Sequence, residues 1–220
     1  MVFDRMPLEG VWKDTIGTPS RNFSTLIYGT SGHGKTTGIL RFIKALVDCG
    51  MRATYISHEE GLTATMQDAM RREHMLEAYS GRIILAGDAS FAETLEYFGK
   101  RGSPEIAVID SIDYCGLTVE EYKELRKKLK NKIIILIAWS QGSRPKTQAA
   151  KDIEYMVDVK LFLRNFMIWP KSRFGGNIPQ PIWEERARLL EPKHFAELDK
   201  RAKKTLFNAE NTNEDRGVSA

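Results

Sequence analysis

The sequence predicts an α/β domain: a mostly parallel central sheet flanked by helices on both faces, with an antiparallel C-terminal extension. Three observations carry this. Runs at 24–28, 106–110 and 133–138 are apolar almost throughout instead of alternating, as strands buried on both faces must be. Helical patterns separate these runs, the signature of strand–helix–strand units. The chain has 220 residues, of which 42% are hydrophobic and 28% charged. That is enough for one such domain with a sizeable core and too few for two comfortable ones.

The elements follow in order. Ser24-Thr25-Leu26-Ile27-Tyr28 reads as a buried strand that runs directly into a glycine-rich loop. From Thr36 onward Ile39, Leu40, Ile43, Leu46 and Val47 recur at helical spacing, and Gly50 marks the helix end. A second strand covers 53–57, a helix passes through Met66, Ala69 and Met70, and a third strand covers 82–86. Met66, Met70 and Met75 read as core filling. Two later helices carry capping boxes, Ser90 with Glu93 and Thr118 with Glu121. The strand 106–110 lies between them, and the strand 133–138 follows the second. Two further strands, near 157–163 and 166–169, are too close for a crossover helix and suggest an antiparallel pair. By domain, residues 1–21 form an N-terminal segment able to pack on a neighbour and 22–190 form the core. Residues 191–207 form a basic amphipathic helix: Phe195, Leu198, Ala202 and Leu206 make one stripe, opposite Lys200, Arg201, Lys203 and Lys204. The polar, aperiodic 208–220 reads as a disordered tail.

The run Gly29-Thr30-Ser31-Gly32-His33-Gly34-Lys35-Thr36 fits G-x-x-x-x-G-K-[ST], the phosphate-binding loop of nucleoside triphosphatases. Its glycines let the backbone curl so that several N–H groups point at one anion, and the helix that follows directs its positive end there. At ordinary glycine usage a chance match is roughly a one-per-cent event in a chain this long. Here the motif also stands after a strand and opens a helix. Contacts to ATP are expected from Gly29 through Thr36 and from Thr37. Lys35 would reach the β- and γ-phosphates, and the Thr36 hydroxyl would help to hold a magnesium ion. Asp110 closes an apolar strand, the place of a magnesium-organising carboxylate, although strand-end Asp also serves as a turn or cap residue. Glu59 and Glu60 follow the second strand. A carboxylate there can orient or deprotonate an attacking water, or simply favour a helix N-terminus. His58 beside them stands either near the γ-phosphate or as a bystander.

Together with Ile56-Ser57-His58-Glu59-Glu60, Val108-Ile109-Asp110-Ser111, Trp139-Ser140-Gln141, Tyr155-Met156-Val157-Asp158 and Lys171-Ser172-Arg173-Phe174-Gly175, the loop resembles the RecA-like ATPases. The likeness is to the branch containing RadA, KaiC and the DnaB-type helicases, and it spans about 22–176. It implies hydrolysis of ATP with Mg2+, with Glu59 as catalytic base, assisted by Glu60, and Gln141 as sensor of the γ-phosphate. Lys171 and Arg173 are implied to be fingers that complete a neighbouring subunit's site, so the resemblance implies a homo-oligomeric ring or filament. The zinc module and protease-like domain of RadA and the N-terminal helical domain of DnaB-type helicases have no counterpart here.

The polar segment Gly142-Ser143-Arg144-Pro145-Lys146-Thr147-Gln148 stands where RecA-like proteins carry a DNA-binding loop, and Arg144 and Lys146 are its candidate phosphate contacts. It contains no aromatic residue to stack on a base. A net charge of +4 is compatible with nucleic acid but does not identify it. The expected function is therefore a DNA-stimulated ATPase of recombination, repair or replication that binds single-stranded DNA. The alternatives are a KaiC-like switch acting through a protein partner and a phosphate-loop kinase. Two cysteines, Cys49 and Cys115, show no disulfide or zinc spacing. No run approaches membrane-spanning length and the N-terminus lacks the layout of a secretory signal, so a cytoplasmic, membrane-free protein is expected.

Overall fold

The computed structural model describes residues 4–58 and 63–202. In chain order the elements are α1 (Gly10–Ile16), β1 (Ser24–Gly29), α2 (Lys35–Asp48), β2 (Ala53–Ser57), α3 (Ala64–Arg72), β3 (Ile83–Ala86), α4 (Phe91–Gly99) and β4 (Ile106–Asp110). There follow α5 (Val119–Lys128), β5 (Ile133–Gln141), β6 (Arg144–Pro145), α6 (Gln148–Met156), β7 (Val159–Arg164), β8 (Met167–Ser172), β9 (Gln180–Pro181) and α7 (Glu184–Leu190). A further helix occupies 192–202. The sheet runs β3-β2-β4-β5-β1-β7-β8-β9, with β6 paired to the end of β5. The first six strands in that order are parallel; β8 and β9 are antiparallel to their neighbours.

Every residue of β1 and β2 is buried, as continuous apolar strands require. Alternate side chains enter two layers. On one face Ile27, Tyr55, Val108 and Ile135 meet α2 and α3. On the other Leu26, Ile56, Ile109 and Leu136 meet α4, α5 and α6. Helix α2 buries Ile39, Leu40, Ile43, Leu46 and Val47 as its spacing predicts, and adds Phe42. Cys49 caps it and Gly50 follows with φ +86°, donating to Val47 O. Both expected capping boxes form, at Ser90 with Glu93 and at Thr118 with Glu121.

One expectation changes. The segment 142–148 is not a free loop: Gln141 pairs with Arg144 and Ser140 with Pro145 in a short hairpin, and Thr147 then caps α6 through Ala150 N. The expected antiparallel pair forms between β7 and β8, and because α6 crosses back over the sheet, the other edge of β7 lies parallel to β1. The stretch before β1 packs on its own domain. Met6, Leu8 and Ile16 belong to the α2 layer, and Trp12 sits 4.9 Å from Phe42. Of the C-terminal stripe, Phe195 is buried against Met167 and Ala187, whereas Leu198 is exposed; residues 203–220 lie outside the described residues.

Candidate nucleotide site

The carboxyl ends of β1, β4 and β5 surround a cavity of about 500 Å3, where an open α/β sheet offers its loops to a ligand. Its lining includes Gly29, Thr30, Ser31, Gly32, Gly34, Lys35, Thr36 and Thr37 from the loop, Asp110 from β4, Trp139 and Ser140 from β5, and also Ile39, Met66 and Lys146. Gly29 has a reason beyond phosphate approach, since a Cβ there would lie 2.3 Å from the carbonyl oxygen of Leu163 on β7. Gly34, with φ +83°, turns the chain into α2 from the left-handed region. Helices α3, α4, α5 and α6 each begin with a side-chain cap; as is true of the seven-residue α1 and α7, α2 has none. Its first-turn amides are therefore left for another acceptor, beside the Lys35 ammonium.

His33 is the loop member absent from the cavity lining. Its Nδ1 accepts from Asn165 N–H at 3.0 Å, and its ring stacks on Phe166 at 6.2 Å and 18°. Both partners belong to the β7–β8 turn, where their φ values are +54° and +57°. His33 thus braces the loop from the neighbouring turn.

Asp110 is fixed by a partner that no motif announced: the hydroxyl of Tyr55, buried on β2, donates to its carboxylate. Ser57 stands beside Asp110 in the β2–β4 register, and its buried hydroxyl has no protein partner. His58 donates its backbone N–H to Asp110 O at 2.6 Å, while its ring pairs with Asp88 at 2.5 Å outside this cavity. Glu59 and Glu60 lie outside the described residues.

At the end of β5 it is Trp139 and Ser140 that line the cavity, with Ser140 Oγ 3.5 Å from Thr30 Oγ1. Gln141 is exposed one residue further on and is not part of the lining. Lys146 returns to the cavity across the hairpin. It donates its N–H to Trp139 O at 3.0 Å and holds its ammonium 4.9 Å over the Trp139 ring. Arg144 points elsewhere, to a second cavity shared with Tyr28. Asp113 ties this corner together, accepting from Trp139 N–H and from the Thr147 hydroxyl, each at 2.6 Å. Asp113, Tyr55 and Lys146 toward this cavity were missed in the sequence; only the Thr147 cap before α6 signalled any of it.

Lys171 and Arg173 lie at the far end of β8. Lys171 pairs with Lys160, which neighbours Leu26, three residues before Gly29. At strand spacings of about 3.3 Å per residue and 4.8 Å between strands, that places Lys171 roughly 14 Å from the start of its own phosphate loop. Arg173 is 3.7 Å from Asp158 and bonds Tyr155 O at 3.3 Å. Asp158 in turn accepts from Ser24 N–H at 2.9 Å and from Arg126 at 3.4 Å.

Among the described residues no three His, Cys, Asp or Glu side chains form a ready metal cluster, both cysteines are free, and no helix is long and apolar enough to cross a membrane. No protein-family model matches the chain, and no curated protein matches its sequence. Solved structures do match its backbone. One is the flagellar accessory protein FlaH from Methanocaldococcus jannaschii, 15% identical, with a TM-score of 0.58 over 82% of this chain and 96% of that one. Likeness at this identity concerns the fold alone. The fold is the RecA-like, phosphate-loop form of the α/β sheet.

Proposed function

We propose that the chain binds ATP with Mg2+ and hydrolyses it. One observation carries this reading: an uncapped helix start, a lysine, a threonine and a strand-end aspartate face a single cavity. Lys35 and the amides opening α2 hold the phosphates. The donor set fits magnesium, a hard cation that takes oxygen ligands and keeps several waters. Thr36 and Asp110 supply two oxygens. Bound there, the ion would neutralise charge on the phosphates. Tyr55 holds the Asp110 carboxylate in place for that task. Glu59, helped by Glu60, orients the attacking water.

Lys171 and Arg173 act on a neighbouring subunit. Their distance from this chain's own loop supports that assignment, since a lysine side chain does not bridge 14 Å or so. The working form is therefore a homo-oligomer. Single-stranded DNA is the proposed activator, with a role in recombination, repair or replication.

Steady-state hydrolysis of ATP with and without Mg2+ and single-stranded DNA tests the reading, with Lys35→Ala as the blank. We expect Lys35→Ala to lower turnover by at least about a hundredfold, the scale of losing one charge-stabilising group. Undiminished turnover in Lys35→Ala would refute the site. Glu59→Gln should bind ATP without hydrolysing it. A rate indifferent to DNA would favour an ATP-dependent switch acting through a protein partner.

A further inference from the structure

We infer that the sheet face opposite α2 carries a groove for a single-stranded polynucleotide, lying between the β7–β8 floor, helix α6 and the β5–β6 hairpin. The inference rests on the reading of the chain as a nucleic-acid-stimulated ATPase. It keeps Arg144 as a contact and adds Tyr155, Lys160, Phe162 and Trp169, which no motif marked.

A cavity of about 500 Å3 opens there. The register sets Phe162 beside Trp169 and, two residues back, Lys160 beside Lys171. An aromatic row thus lies next to a cationic row, roughly 7 Å apart along the strands. Tyr28 stacks on Phe162 at 5.3 Å and 28°, with its hydroxyl bonded to Glu154 at 2.7 Å. Tyr155 stands on the α6 wall, 69% exposed, with Lys160 Nζ 5.6 Å over its ring. Arg144 faces in from the hairpin.

Charge and ring chemistry select the occupant. Two cations, Arg144 and Lys160, line the groove beside Lys171, the residue given to the neighbouring subunit's site, against one carboxylate, Glu154, which is already engaged by Tyr28. Neither Arg144 nor Lys160 has an ion-pair partner among the described residues, and Lys160 lies over the Tyr155 ring. One exposed ring, Tyr155, with the partly exposed Phe162 and Trp169 beside Arg144 and Lys160, suits bases stacked on the rings and phosphates on the cations. The platform absent from the 142–148 segment itself is supplied by α6, β7 and β8. The groove also touches the nucleotide site twice: Tyr28 precedes Gly29, and the hairpin that presents Arg144 here presents Lys146 to the other cavity.

The test is fluorescence anisotropy of labelled dT20 and, separately, U20 with the full chain at 50 and 200 mM salt. Two phosphate contacts on a single strand give a log–log salt slope near −1.4, roughly a sevenfold loss of affinity across that range. Tyr155→Ala should weaken binding about tenfold by removing a stacking ring. Lys160→Glu should weaken it and flatten the slope by about one contact, whereas the charge-matched control Lys13→Glu, on the opposite face, should do neither. Matching melting temperatures establish that the variants are folded. Preference for dT20 or U20 distinguishes DNA from RNA. Wild-type binding that both groove variants retain would overturn the groove while leaving nucleic-acid stimulation standing. No wild-type binding to either oligonucleotide would overturn both, with Lys35-dependent hydrolysis still separately measurable. A Tyr155→Ala protein that loses self-association instead of oligonucleotide binding would give the groove to a second copy and overturn the inference.

Discussion

Gly29 has no room for a side chain. The loop pattern explains it by the approach of phosphate, and that much is legible in the sequence because the motif is local. The stronger constraint is the Leu163 carbonyl oxygen, 2.3 Å from where a Cβ would sit, and that contact exists only once β7 lies beside β1. Gly29→Ala is therefore expected to destabilise the fold by about 2 kcal/mol, in the range of overpacking a filled interior. Urea unfolding checks this, and an unchanged midpoint would mean the strands shift apart at little cost. Asp110 divides in the same way. Its place at a strand end is visible in one dimension; the Tyr55 hydroxyl that fixes it is on a strand adjacent only in space.

Elements were legible where their signals are short-range. The two capping boxes repeat a three-residue spacing, and both form in the structure. Helix α6 was missed because a two-residue hairpin precedes it, so its Thr147 cap is hidden in a polar stretch that resembles a loop. Missing α6 also hid the parallel pairing of β7 with β1. The corner's stability depends on Asp113, which joins the β5 backbone to the α6 cap. Asp113→Ala leaves two donors without their acceptor and should cost about 3 kcal/mol, since bonds to a charged group contribute roughly 1.5–3 each and the corner relaxes in part. Trp139, Ser140 and Lys146 lose their support together, so KM for ATP should rise along with the loss of stability. A variant with normal stability and normal KM would exclude this role.

At the scale of the whole molecule, the fold class followed from continuous apolar strands, a signal that does not depend on loop details. The N-terminal stretch did not, because Met6, Leu8 and Ile16 are too sparsely spaced to show a period, yet all three are buried. Residues 172–178 are held to α1: Ser172 Oγ donates to Ile16 O at 2.7 Å, and the Asn177 and Ile178 amides donate to Thr15 and Asp14. Lys171 and Arg173 thus stand beside a hydrogen-bonded base, with Lys171 roughly 14 Å from the start of its own loop. Mixing Lys35→Ala and Arg173→Ala chains tests the consequence. In a head-to-tail ring assembled at random, about a quarter of the interfaces join an intact loop to intact fingers. Activity near that fraction of wild type should appear in the mixture although each variant alone is inactive. No recovery, with both variants monomeric in sedimentation, would rule out completion in trans.

Strand β8 begins beyond the turn whose Asn165 and Phe166 grip His33, and near its other end carries Lys171. Its six residues make a rod of about 20 Å, stiffened by pairing with β7. In an assembly where Lys171 enters the next subunit, that rod would connect two nucleotide sites in series. A displacement of one loop on filling or emptying would then be delivered to the following site by a strand instead of a slack tether, favouring turnover that proceeds in sequence around the assembly over firing at random.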